Sequence, residues 1–471
     1  VISDKLTTVP APATPQDVAP GKQRAVPGPS IPIQDPRSKI QNPAIVAGAV
    51  ALLYLGLLGW LWGHFQGDPL GFVHEGTVWL HPERQGTNGY DGQFYLYIAQ
   101  HPLHAVPFLD LPSIRLQRIF FPLLIDLAAL GQRPLMPYAM LLLNWLAVGG
   151  GTLLVARLLQ RWGRSPWFAL SYALAAGIPV ALQFDTPEPL AFALVALAVT
   201  YWEPQSPERP DSTNPKSAGE RLAVGSWGAG DDIRIATDAV SNPKSPIQNP
   251  KSAGPKSPIQ NPKFLAWGAL AAAAALLTRE HALYFVAAYA GAALLRRDGR
   301  GLLAAVAALV PVTLWGLYLS AQLGKSSVAE LPPLESIPFI TYWIQGNLVD
   351  PTWRSAGYAA QYIAPATVFG ILGLAAVLRP IGTWLRTRVW QAPAALGLAM
   401  VGNVHLLAFI PRAGYQHQIA ASRYALGLAL AAVLWTGASR PRWLLWLTPL
   451  CALGLLAYLY GLLTQDPAYL W

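Results

Sequence analysis

From Ile45 onward, apolar stretches of about 15 to 24 residues alternate with short polar segments. Each stretch approaches or meets the roughly 20 residues that a helix needs to cross a bilayer at about 1.5 Å per residue. The stretches are unbroken mixtures of Leu, Ala, Val and Trp, unlike the alternating segments of about ten residues found in an outer-membrane barrel. They predict spanning helices over 45–64, 135–157, 166–183, 188–202, 264–278, 281–295, 301–322, 358–378, 391–410, 420–438 and 443–463, eleven in all. The expected fold is therefore an all-α, polytopic integral membrane protein. The run 118–131 is too short to span and carries Asp126, so it predicts an interfacial helix on the outer face.

Two polar blocks interrupt this pattern. Residues 1–44 are rich in Pro, Gln and Ser, lack the basic-then-apolar order of a signal peptide, and read as a disordered cytoplasmic tail. Residues 204–263 contain near-repeats, with Asn214 to Gly219 recurring as Asn249 to Gly254 and Ser245 to Lys251 recurring as Ser257 to Lys263. Repeats so short and Pro-rich cannot stack into a solenoid, and the block reads as a low-complexity cytoplasmic insertion. The organisation expected is an N-terminal membrane module over 45–203 with a long outer loop at 65–134, the insertion, and a C-terminal membrane module over 264–471.

Composition agrees with a membrane class, since 53% of residues are hydrophobic and 12% charged, about half the charge of a soluble domain. The net charge of +9 would suggest nucleic acid in a soluble protein, but here the placement of Lys and Arg explains it without a nucleic-acid partner. With the N-terminus inside, 24 of the 33 basic residues fall in the tail and the inner loops, as the positive-inside rule requires. The single cysteine, Cys451, supports neither a disulfide framework nor a cysteine metal site.

The outer segments hold 13 of the 24 acidic residues. Asp91 lies between a Gly-Tyr turn and the aromatic stretch Phe94 to Tyr97. There it either caps a short helix beside an aromatic belt or serves as a base at the water–lipid boundary. Two tight outer turns, Asp185 to Pro189 and Thr278 to His281, interrupt apolar sequence with ionisable groups, a costly placement unless they face a cavity or a partner. A third turn carries Arg412, His417 and, just beyond, Arg423. Arg115, Arg118, Arg279, Arg412 and Arg423 on the outer face either pair with nearby carboxylates or await an anion such as phosphate. His101 and His104 are the close histidine pair, and no metal site is expected there or elsewhere. No phosphate-binding P-loop and no G-x-S-x-G elbow occurs, and Gly149 to Gly151 read as a close helix contact.

Gly89 to Tyr95, Arg115 to Pro122, Asp185 to Glu188 and Leu277 to Glu280 together resemble the GT-C superfamily of multi-spanning glycosyltransferases, in particular bacterial proteins related to the mannosyltransferases of the glycolipid-anchor pathway. The likeness runs in order over about residues 45–300. It implies a GT-C-like helix arrangement and an active site outside the plasma (inner) membrane. It also implies a polyprenyl-phosphate-linked sugar donor, mannose by default, and a glycan, glycolipid or protein acceptor. Asp91 would be the catalytic carboxylate. The substrate-binding set would be Tyr90, Gln93, Tyr95, Arg115, Arg118, Asp185, Glu188, Arg279, Glu280, His281, Arg412, His417 and Arg423. No cofactor is implied. The rival class is a transporter or lipid-linked sugar flippase, in which the same charges would line a path; their clustering at one face favours the enzyme.

Overall fold

Asn42 opens the first helix, α1 (Pro43–His64), by accepting a bond from the Ala44 amide at 2.9 Å, with Pro43 in the first turn, where its missing N–H is not needed. The computed structural model describes residues 42–79, 86–102, 104–203, 262–326, 364–387, 393–409, 418–439 and 444–464. The expected tail and insertion, up to 41 and over 204–261, lie outside them, as do Arg412 and His417. After α1 come α2 (Leu70–Val73), α3 (Asp91–Gln100), α4 (Pro112–Gln117), α5 (Phe120–Ala128) and α6 (Met136–Arg161). Then follow α7 (Leu170–Ala173), α8 (Gly177–Gln183), α9 (Glu188–Trp202), α10 (Pro262–Thr278), α11 (Leu283–Arg296) and α12 (Gly299–Leu323). The chain closes with α13 (Ala364–Thr387), α14 (Pro393–Phe409), α15 (Gln418–Ser439) and α16 (Leu444–Leu463). All regular structure among the described residues is helical.

Among the described residues, three segments are long and apolar enough to cross a membrane: α1, α6 with its one-turn entry (Arg133–Arg161), and α12. A fourth exists if the bent pair Pro166–Ala173 and Gly177–Gln183 forms one span. The sequence pattern predicts an unbroken helix over 166–183, whereas the chain turns by 56° within it. Pro179 explains the break. Its ring would clash with the carbonyl four residues back, at Ala175, and it offers no N–H to continue the ladder. The Ala173 carbonyl left at the break accepts a bond from the buried Tyr54 hydroxyl at 2.5 Å, so a kink in one element is tied to α1. The short run expected at 118–131 is α5, nine residues long and too short to cross.

α6 is the central post. It packs on α1, where the Trp145 indole donates to the Ala51 carbonyl at 2.9 Å, and on α9, where Gly151 lies against Ala193. α9 packs on α10, α10 on α12, α11 on α12 and α14, and α14 on α15. Leu52 on α1 and Leu303, Leu314 and Leu317 on α12 stand 61–69% exposed. Water would penalise such an outward apolar stripe, and lipid would not.

Two contacts carry the fold to the site. α3 and α4 pack beside α5 and α12, and the Trp315 indole on α12 donates to the Leu116 carbonyl at 2.8 Å. α15 lies on α8, where a Cβ at Gly177 would come within 2.5 Å of the Ser422 carbonyl oxygen. Gly177→Ala should therefore push α8 and α15 apart at the cost of overpacking, about 1–3 kcal/mol. A lower thermal midpoint of the detergent-solubilised protein is the expected outcome, and an unchanged midpoint would show that α15 shifts freely.

Candidate functional site

The loop between α2 and α3 is built so that the first turn of α3 is fixed from both sides. The Gln93 side chain accepts from the Gly76 amide and donates to the Asn88 carbonyl, each at 2.8 Å, while the Tyr90 amide donates to the His74 carbonyl at 2.9 Å. Gly76 and Gly89 let the two arms of this loop cross. A Cβ at either would lie 2.3 Å from backbone of the other arm, and Gly89 adopts φ +64°, a conformation that glycine takes without strain. Gly92 in turn allows the Phe184 carbonyl to approach, since a Cβ there would meet it at 2.5 Å. The start of α3 is thus seated on the turn that leads into α9, which brings Asp91 and Glu188 into one cluster.

Asp91 is the first residue of α3, and no side chain caps that helix. Instead of capping, its carboxylate bridges two guanidinium groups, Arg115 Nη2 at 2.9 Å and Arg423 Nη2 at 3.0 Å. Arg115 is also forked onto Asp110, through Nε and Nη2 at 2.8 Å each. Arg118 is forked onto Glu280 through Nε at 2.8 Å and Nη2 at 2.5 Å. The Tyr95 hydroxyl oxygen accepts from both Arg118 Nη1 and Arg279 Nη1 at 3.2 Å. Glu188 Oε1 lies 3.0 Å from Arg279 Nη2 and 3.5 Å from Arg423 Nη1. Rings complete the packing, with Phe94 4.4 Å from the Arg115 guanidinium and Tyr90 4.7 Å from that of Arg423. Cations over aromatic faces gain further stabilisation where water is scarce.

Most residues expected at the site meet here: Asp91, Tyr90, Tyr95, Arg115, Arg118, Glu188, Arg279, Glu280 and Arg423. His281 joins at the edge, its Nε2 3.6 Å from Glu280 Oε1 and its ring against Tyr424. Gln93 points into the loop and serves its geometry. Asp185 also turns elsewhere. It is fully buried at φ +48° and accepts from Asn144 Nδ2 at 3.0 Å. Three participants were missed, namely Asp110, Phe94 and Tyr424. Asp110 stands five residues before Arg115 across the start of α4, a spacing that could have flagged the pair.

The arginines thus have carboxylate partners within the chain, four of each in the cluster among the described residues. Burial alone would raise the Asp91 pKa, but Arg115, Arg423, Arg279 and Arg118 outweigh it and hold the carboxyl well below the usual range. Glu280 is held low in the same way, with Arg118 and Arg279 overriding its burial. Three of the four carboxylates reach solvent, Asp91 with 19%, Asp110 with 24% and Glu280 with 38% of the side chain exposed, while Glu188 is fully buried. Among the described residues, no three His, Cys, Asp or Glu side chains converge as metal ligands. No model of a known protein family, no curated protein and no solved structure matches the chain.

At Asp185 the balance is reversed, because burial pushes the carboxyl well above its usual range against the opposing bond from Asn144. Such a group favours folding fully below its unfolded pKa of about 3.9, and that contribution is lost as pH rises toward the folded value. Asp185→Asn keeps the shape and tolerates positive φ. It should raise the thermal midpoint relative to wild type at pH 8, with a gap that narrows toward pH 4. A gap independent of pH would mean that Asp185 is ionised in the fold.

Proposed function

We propose that the protein is a GT-C-type membrane glycosyltransferase that moves a sugar, mannose by default, from a polyprenyl-phosphate donor to an acceptor hydroxyl of a glycan, glycolipid or protein. In this reading the eleven apolar stretches span the plasma (inner) membrane with the N-terminus cytoplasmic, and the charged cluster opens on the extracytoplasmic side. The observation that carries the proposal is the surroundings of Asp91. It is a partly exposed carboxylate among four arginines, three of them at most 5% exposed and Arg115 9% exposed, in a chain of lipid-compatible helices.

The chemistry follows from the charges. Asp91 takes the proton of the acceptor hydroxyl as that oxygen attacks the anomeric carbon. The bond from carbon to the phosphate oxygen breaks on the opposite face, its electron pair leaves with the polyprenyl phosphate, and the sugar is inverted. A leaving phosphate needs charge stabilisation more than a proton, and fixed guanidinium groups in a site poor in water supply it. Arg115 and Arg423, the two that flank Asp91, would receive it, with Arg118 and Arg279, side by side on Tyr95, adding positive charge nearby. A donor carried on a prenyl chain accounts for an active site at the end of apolar helices.

Sugar transfer by the purified full-length protein in proteoliposomes, offered a panel of polyprenyl-phosphate sugars, tests this reading. Asp91→Asn removes the base but almost no volume, so turnover should fall by about 10²–10⁴-fold. Near wild-type turnover in that variant contradicts the assignment. Movement of sugar-lipid between leaflets without transfer would make the protein a flippase.

A further inference from the structure

We propose that in the resting protein Asp91 stands in the place of the donor's phosphate, and that the phosphate enters by displacing this carboxylate from Arg115 and Arg423. The inference rests on the glycosyltransferase reading of the same site, and it supplies what that reading leaves open, namely how a carboxylate gripped by arginines becomes a base.

Three features of the geometry point to an exchange. First, the Asp91 carboxylate spans two guanidinium groups with one oxygen on each, at 2.9 and 3.0 Å, as the two free oxygens of a phosphodiester would. Second, both arginines keep their orientation once Asp91 departs. Arg115 remains forked on Asp110, and Arg423 remains over Tyr90 with Glu188 beside it. The site is therefore preorganised for a new anion. Third, of the two carboxylates beside Arg423, Glu188 is fully buried while Asp91 has 19% of its side chain exposed, so Asp91 is the one with a way out to water.

The site also has unmet donors. Among the described residues, Arg279 Nε and Nη2 and Arg423 Nε and Nη1 are buried without a hydrogen-bond acceptor, although Glu188 is within ion-pair distance of both residues. A buried cationic donor left without its bond is costly, and phosphate oxygens beside Arg423 would satisfy it. Charge balance then couples the two events. Among the described residues four arginines already face four carboxylates, so an entering phosphodiester adds one negative charge. Asp91 gives up its two cationic partners, becomes more basic, and takes up the proton of the acceptor hydroxyl. Until a phosphate arrives, the base is held inactive.

The test uses the full-length protein in neutral detergent and a short prenyl phosphodiester, geranyl methyl phosphate, as the probe. Wild type and Asp91→Asn are compared by calorimetric titration. Asp91→Asn should bind at least about tenfold more tightly, because its competitor is gone, and Arg423→Gln should bind more weakly than wild type. Equal or weaker binding by Asp91→Asn overturns the exchange. A second readout needs no variant. Carbodiimide labelling of Asp91, read by peptide mass spectrometry, should increase when the probe binds to wild type; protection of Asp91 by the probe would overturn the proposal. Inorganic phosphate and phosphatidylglycerol serve as parallel arms. An increase with the prenyl probe alone assigns the site to the lipid-linked donor, and an equal increase with inorganic phosphate assigns the exchange to the free anion. Failure of exchange with Asp91-dependent transfer intact would leave the enzyme standing. Exchange without transfer would leave the anion site standing and remove the enzyme.

Discussion

Four guanidinium groups buried together at one end of a set of apolar helices impose an electrostatic condition on everything around them. Each must have a counter-charge close by, because an unpaired buried cation costs several kcal/mol. Arg115 comes from α4 and Arg118 from its C-terminal cap, Arg279 from the turn between α10 and α11, and Arg423 from α15. Their carboxylates come from α3, the loop before α4, α9 and the turn after α10. The pairs therefore join segments far apart in the chain, 162 residues for Arg118 with Glu280 and 332 for Arg423 with Asp91. The fully buried Glu188 between Arg279 and Arg423 is the case where removing one partner costs most, about 3–5 kcal/mol, because a buried charge is left without compensation. Stability and candidate chemistry depend on the same bonds.

Much of the architecture was legible because it rests on local rules. Apolar periodicity and length located α6, α9, α10, α12 and α14 within a few residues, and a turn residue followed by an aromatic stretch located α3 with Asp91 at its start. The break in 166–183 was hidden because Pro179 sits inside an apolar run and a hydropathy pattern ignores its missing N–H. Three described segments meet the length and composition for crossing a membrane, four with the bent pair, and the larger number of spans remains part of the functional proposal.

The site was legible as a set of residue types and not as a set of bonds. Arginines that the sequence pattern predicts on an outer face, where positive charge is disfavoured, pointed to an electrostatic purpose. Whether each faced a carboxylate or a ligand was open, since the partners lie on different helices and only packing brings them together. The fold resolves this in favour of carboxylates in the resting state. It also separates Asp185 from the cluster, although its neighbour Glu188 belongs to it, because the turn at φ +48° sends the Asp185 side chain toward Asn144. Gln93, in the same motif as Asp91, holds the loop together instead of facing a substrate. A motif thus carries both support and chemistry, and spacing alone does not divide them.

These observations meet in one proposal, that the arginine cluster is a phosphate site whose resting occupant is Asp91. An experimental structure of the protein in lipid nanodiscs, with a non-transferable polyprenyl-phosphate sugar analogue bound, tests it most directly. The phosphate is expected between Arg115 and Arg423, with the Asp91 carboxylate turned away from both and facing the anomeric carbon. A phosphate bound elsewhere while Asp91 still bridges the two arginines would contradict it.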